Sequence, residues 1–197
     1  MLIFALAVFF LLITPGPGVL SAAGVGAAYG VQVGVRYIFG LFLGTNLVAV
    51  LVISGLATII FSIPYLRNFL LLASSFYIIY LAIKIGLEGS EITFLKTSSV
   101  PGLFQGILLQ LINPKAYVVN LTLFSGFVFY PDKFIVEVLL KLLIANTIWI
   151  PIHFLWLYAG VILYELPIAK KRKNFIRGIM SLSLILVVLL SITSITP

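Results

Sequence analysis

The chain has 197 residues, 62% of them hydrophobic and 9% charged, with a mean hydropathy of +1.27. That little charge cannot coat a soluble domain of this size, so an all-α integral membrane protein in contact with the lipid bilayer is expected. The absence of cysteine excludes disulfides, thiol redox chemistry and cysteine metal sites, and the net charge of +7 reads as asymmetric loop charge rather than a nucleic-acid surface.

A membrane span needs about 20 mostly apolar residues, and six segments meet that requirement. The first, from Leu2 to about Gly26, enters an apolar run directly at Met1-Leu2-Ile3-Phe4, with no basic n-region, and reads as a span rather than a cleaved signal. The second runs from about Tyr37 to Ile63, where Pro64 ends it, and the third from about Leu66 to Leu87. The polar stretch Glu88 to Pro101 reads as a linker between halves of about 1–87 and about 102–197. The fourth span, Leu103 to Phe129, is separated by Pro131-Asp132 from the fifth, Phe134 to Tyr164. The sixth is Phe175 to Ser194.

Loop charge orients these spans. Arg36, Lys84, Lys96, Lys170, Lys171, Arg172, Lys173 and Arg177 fall on one side, and Arg67, Lys133 and Lys141 on the other. The basic side is expected to be cytoplasmic, which places both termini outside. The basic run from Lys170 to Lys173 reads as a topology anchor. Halves of three spans each, if related, must be inverted with respect to one another. Thr45-Asn46 early in the second span and Asn146-Thr147 at the comparable place in the fifth fit that relation.

Two spans are interrupted. Thr14-Pro15-Gly16-Pro17 breaks the first and Asn113-Pro114-Lys115 breaks the fourth. Thr and Asn cap helix N-termini, and proline suits the first helical position. Each break therefore reads as the end of one half-helix and the start of another. Thr14 lies about 18 Å along the first span, near the middle of a roughly 30 Å core. Backbone is broken at that depth only where protein or a water-filled cavity satisfies it. Half-helix N-termini carry free N–H groups and partial positive charge, which suits a carboxylate. Lys115 adds a cation that reads either as a substrate or coupling group or as a donor to freed carbonyls. Asn46 and Asn146 are expected to line the path. His153, the only histidine, shares a helix face with Asn146 and reads more readily as a bonded core residue than as a ligand. The acids Glu88, Glu91, Asp132, Glu137 and Glu165 all fall at or near span ends. No metal site, cofactor or hydrolytic set is expected, and the chain does not read as an enzyme. Gly26, Gly30, Gly34, Gly40 and Gly44 are spaced for close helix packing, within the monomer or in a homo-oligomer.

At these residues the chain resembles the LysE/RhtB family of amino acid exporters over essentially its whole length. Thr14 to Gly18 is similar to the family's TPGP motif, and Gly106 to Ala116, GILLQLINPKA, to its NPKA motif. The resemblance implies an inner-membrane secondary transporter, driven by an ion gradient, that exports amino acids or related small metabolites. Its implied site residues are Thr14, Pro15, Gly16, Pro17, Asn113, Pro114 and Lys115. Thr45 stands at the family's usual Asp, Gln110 at its usual Asn, and Ser125 where Pro-Gln-Phe is usual, so substrate and coupling are expected to depart from the better-known members. The rival readings are a non-transporting scaffold or partner subunit that assembles through glycine faces, and an exporter of another small solute or ion.

Overall fold

The computed structural model describes residues 1–57, 62–87, 100–165, 174–175, 178–179, 181–186 and 189. Most of the linker, half of the sixth expected span, the basic run Lys170 to Lys173, and Glu88, Glu91, Lys96 and Arg177 lie outside the described residues. The described part is helical: α1 (Leu2–Ile13), α2 (Pro17–Ile53), α3 (Pro64–Leu87), α4 (Leu103–Ile112), α5 (Pro114–Ser125) and α6 (Phe134–Glu165). Residues 181–186 are also helical. Among the described residues two helices, Pro17–Ile53 and Phe134–Ile162, are long and apolar enough to cross a membrane. A third span results if α4 and α5, bent by 67° at Asn113, count as one.

Proline explains both interruptions. A residue that precedes proline is pushed out of the helical region towards extended backbone. Thr14 accordingly has ψ 125° and Asn113 ψ 108°, and each ends its helix. The helices that follow start differently. After Asn113, α5 begins at once with Pro114 in its first turn. After Thr14 the chain stays extended through Gly16, and α2 starts at Pro17. The first break is therefore two residues longer than Thr14-Pro15 alone suggests. Thr14 closes α1, its hydroxyl donating to Phe10 O at 2.6 Å, rather than capping α2.

Within α2 the chain turns at Gly30, whose φ of 75° is open to glycine and strained for other residues. Contacts along α6 show the change of direction. Gly18 faces His153 and Gly26 faces Leu157, so the segment before Gly30 advances along α6. After it, Gly34 faces Leu157, Phe42 lies edge-on to Trp149, and Asn46 bonds Asn146, so the chain runs back. The interval left between the first and second expected spans is thus helical except for a turn at a single glycine. The second helix also ends earlier than expected, at Ile53, where Gly55 takes a φ of 79°. Pro64 opens α3 instead of ending the helix before it.

Glycine brings the backbones together. A Cβ on Gly40 would lie 2.1 Å from Leu103 O, one on Gly106 2.4 Å from Tyr37 O, and one on Gly160 2.0 Å from Ala23 O. The main core gathers Tyr37, Leu41, Leu81, Leu109, Trp149, Leu157 and Leu184, all buried. The outward faces are apolar too, with Ile3 75% and Phe76 71% exposed, as suits contact with lipid chains.

Glu137 and Lys141, read from the sequence as charges near span ends, form a buried clamp. Their ion pair measures 2.7 Å. Lys141 Nζ donates to Phe124 O at 3.0 Å and to Phe127 O. Glu137 accepts the N–H groups of Phe129 and Tyr130 at 2.9 and 2.5 Å. The pair thereby satisfies backbone groups around the C-terminus of α5 and the turn before α6.

Replacing Gly40 by Ala forces the α2 and α4 backbones apart and should destabilise the protein by about 1–3 kcal/mol, the range for overpacking. Gly178→Ala, which meets nothing within 4 Å, should be near neutral in the same detergent melt. Lys141→Met should lower the melting temperature clearly more than Lys133→Met, whose side chain is exposed.

Candidate functional site

Both helix breaks open onto one cavity, part of it continuous with the exterior. The end of α1 contributes Leu11, Leu12 and Thr14. The start of α2 contributes Gly16, Gly18 and Val19, and its later part Thr45, Asn46 and Ala49. Gln110 and Asn113 come from the end of α4, and Lys115, Ala116, Val119, Asn120, Leu123 and Phe124 from α5. Leu142, Ala145, Asn146, Trp149 and His153 complete it from α6.

The breaks are tied to each other through Lys115. Its Nζ donates to Thr14 O at 2.6 Å and approaches Pro15 O at 3.5 Å. These carbonyls have lost their helical partners at the end of α1, where a cation also complements the helix dipole. The lysine stem passes directly over Gly16, where a Cβ would lie 2.7 Å from Lys115 Cδ. Gly16 has extended backbone with φ −166°, which any residue adopts, so space is what glycine supplies there.

The two half-helix N-termini are not equivalent. Asn113 caps α5 with its own side chain, Oδ1 accepting from Lys115 N at 3.1 Å, while its Nδ2 donates to Gln110 Oε1 at 3.2 Å. At α2 no side chain caps the start. Leu20 N is the first amide there to bond back, to Gly16 O at 3.0 Å. The N–H groups of Gly18 and Val19 have no partner among the described residues, and both residues line the cavity. Free donors are thus concentrated at the first break, while the second supplies a cation.

Across the cavity Asn46 and Asn146 exchange amide hydrogen bonds of 3.2 and 2.9 Å. Asn46 also donates to Phe42 O at 2.9 Å. His153 is 3% exposed and stacks on Trp149, with ring centroids 3.5 Å apart and planes 13° from parallel. Of the residues singled out from the sequence, Thr14, Gly16, Asn46, Asn113, Lys115 and Asn146 line the cavity, whereas Pro15, Pro17 and Pro114 shape the backbone behind it. Gln110, Thr45, Asn120 and His153 were visible as polar residues within spans but were not assigned to the site. Trp149 was not singled out, although Asn146, Trp149 and His153 recur at the i, i+3, i+7 positions of one helix face. No three His, Asp or Glu side chains converge among the described residues.

The model of the LysE type translocator matches residues 9–195. Leucine efflux proteins of Salmonella choleraesuis, Salmonella typhimurium and Salmonella typhi are each 30% identical over 124 residues, which cover 60% of this chain and 58% of each relative. The match therefore spans little more than half the length of those curated relatives. No solved structure matches the chain. Apolar helices broken at TPGP and NPK, and a family match that runs nearly from end to end, agree: the chain belongs to the LysE family of membrane translocators.

Proposed function

We propose that this protein exports amino acids or related small metabolites across the cytoplasmic membrane, as a single secondary-transport domain driven by an ion gradient. The observation that carries the proposal is the meeting of both breaks at one cavity, where the free Gly18 and Val19 amides and the Lys115 ammonium supply what a carboxylate needs. Leu11, Leu12, Val19, Leu123 and Leu142 supply an apolar wall for a side chain. The leucine efflux relatives support an aliphatic amino acid as cargo.

The six-span inverted repeat of residues about 1–87 and 102–197 belongs to the same proposal. Its support is a set of contacts that recur a hundred residues apart. Asn46 pairs with Asn146 at that separation. Phe4 of α1 belongs to a core cluster against which Ile144, Ala145 and Ile148 pack, as α4 packs its Ile107 on Gly44. Ala116 and Tyr117 share a core cluster with Val52 and Ala57, as Gly18 and Gly26 approach His153 and Leu157. In this arrangement both termini face outside, and access alternates as one bundle rocks against the other. The glycine faces that a scaffold reading needs are occupied within the monomer at Gly26, Gly34, Gly40 and Gly44.

Lys115→Met should reduce leucine export from preloaded cells by about tenfold or more, the scale of a lost charge-assisted hydrogen bond, at unchanged membrane expression. Unchanged export would remove Lys115 from the mechanism. Gly16→Ala displaces only the flexible end of Lys115. It should melt close to wild type and still transport less, which compared flux and thermal-shift measurements would check.

A further inference from the structure

His153 is the one imidazole of the chain, and nothing so far gives it a task. Its Nδ1 lies 3.0 Å from Trp149 O. A carbonyl only accepts, so Nδ1 carries the hydrogen and the neutral ring keeps its lone pair on Nε2. No described residue bonds Nε2, although the side chain is nearly fully buried and lines the cavity. Gly18 opens that nitrogen to the cavity: a Cβ there would lie 3.6 Å from His153 Nε2 and 3.6 Å from Gln110 Nε2, in ordinary contact. The backbone that offers free N–H groups to a carboxylate therefore lies beside the one free imidazole lone pair.

An α-amino acid carries its carboxylate and its ammonium on a single carbon, so a site for it must set an acceptor next to its anion donors. We infer that His153 Nε2 is that acceptor, and that it holds in turn the ammonium of an outgoing amino acid or an incoming proton, never both. This inference rests on the export reading above. Protonated, the ring has no lone pair for an ammonium and presents an N–H to it, so one cargo displaces the other. The proton adds to Nε2 from water on the outer side, as the amino acid leaves. It returns to water on the inner side, before the next amino acid binds. The imidazolium lies flat on the Trp149 indole, which stabilises a cation over its face.

The surroundings leave this role to His153. Among the residues that line the cavity, the other charged group is Lys115 on α5, whose ammonium is bonded to Thr14 O. Towards the cavity α2 presents Gly18, Thr45 and Asn46, and α4 presents Gln110. The phenols of the surrounding core are Tyr29, Tyr37 and Tyr77, and the described part of the C-terminal helix packs Leu184 and Ile185 into that core. Among the described residues no carboxylate lines the cavity, and Thr45 stands where the resemblance expects an acid.

The test uses the full chain in proteoliposomes, with leucine and with the 2-hydroxy acid of the same carbon skeleton as probes. His153→Gln keeps an acceptor oxygen but cannot carry a proton. Leucine counterflow at equal pH should weaken but persist, whereas transport driven by a pH gradient should fall by a further tenfold or more, about the scale of a lost charge-assisted interaction. Gradient-driven transport that persists in the variant overturns the inference. So does loss of both activities in a variant that melts like wild type. Should the variant not fold, wild-type affinity decides. Leucine should bind more weakly as pH falls while the 2-hydroxy acid, which has no ammonium, is little affected, and an equal response of both probes overturns the inference. If wild type shows no leucine counterflow, the export reading fails, and the inference with it. Normal wild-type counterflow with an indifferent His153→Gln variant overturns the inference alone.

Discussion

Everything in this structure depends on how backbone groups freed by two prolines are satisfied inside an apolar protein. Breaking a helix leaves carbonyls without donors at one end and amides without acceptors at the other. At the second break the chain solves the problem locally, because Asn113 accepts from Lys115 N with its own side chain. At the first break the solution is long-range. The carbonyl of Thr14 takes its donor from Lys115, 101 residues away. One lysine therefore closes the end of α1 and joins the two halves of the molecule. It leaves the opposite end of the same break, the amides of Gly18 and Val19, open to the cavity.

That tie works only because the surrounding helices lie unusually close. Gly40 and Gly106 let α2 and α4 meet backbone to backbone, and Gly160 does the same for α6 against Ala23. In lipid, where burial of apolar surface offers no net drive, such contact is a principal source of helix association. Close packing fixes where the breaks fall relative to one another, and Gly30 folds α2 back so that both of its parts run along α6. The polar residues of α6 are thereby faced from two directions, by Gly18 before the turn and by Phe42 and Asn46 after it.

The cavity is chemically divided. Its polar groups gather where the breaks, Gln110 and His153 converge, and aliphatic side chains of α1 and α5 form much of the remaining wall. A small zwitterion with an apolar side chain has the same division. The Asn46–Asn146 pair spans the space between, each amide satisfying the other. Such a pair opens without stranding charge, which fits the proposed alternating access. The proposal of an aliphatic amino acid as cargo rests on this division.

Much of this architecture was legible before any coordinates. Composition alone called for membrane helices, and the pre-proline effect at Thr14 and Asn113 is local chemistry, so both breaks fell where the residues said they would. Asn113 as a cap and Pro114 as a first-turn residue are local as well. What sequence misjudged were features set by neighbours. Thr14 resembled a cap but closes α1, and the expected loop at residues 27–36 collapsed to Gly30. Lys141 was counted with the loop charges and Glu137 placed near a span end, but both are held inside by carbonyls and amides that only folding assembles. The partner of Lys115, the unequal capping of the two helix starts and the placement of His153 beside Gly18 are likewise tertiary facts. Each depends on atoms far apart in the chain coming within hydrogen-bond or contact range, and local residue preferences do not encode those distances. Residue type determined that this chain is built of apolar, membrane-type helices and is broken at Thr14 and Asn113. Only packing decided which freed groups were satisfied and which were left free to bind.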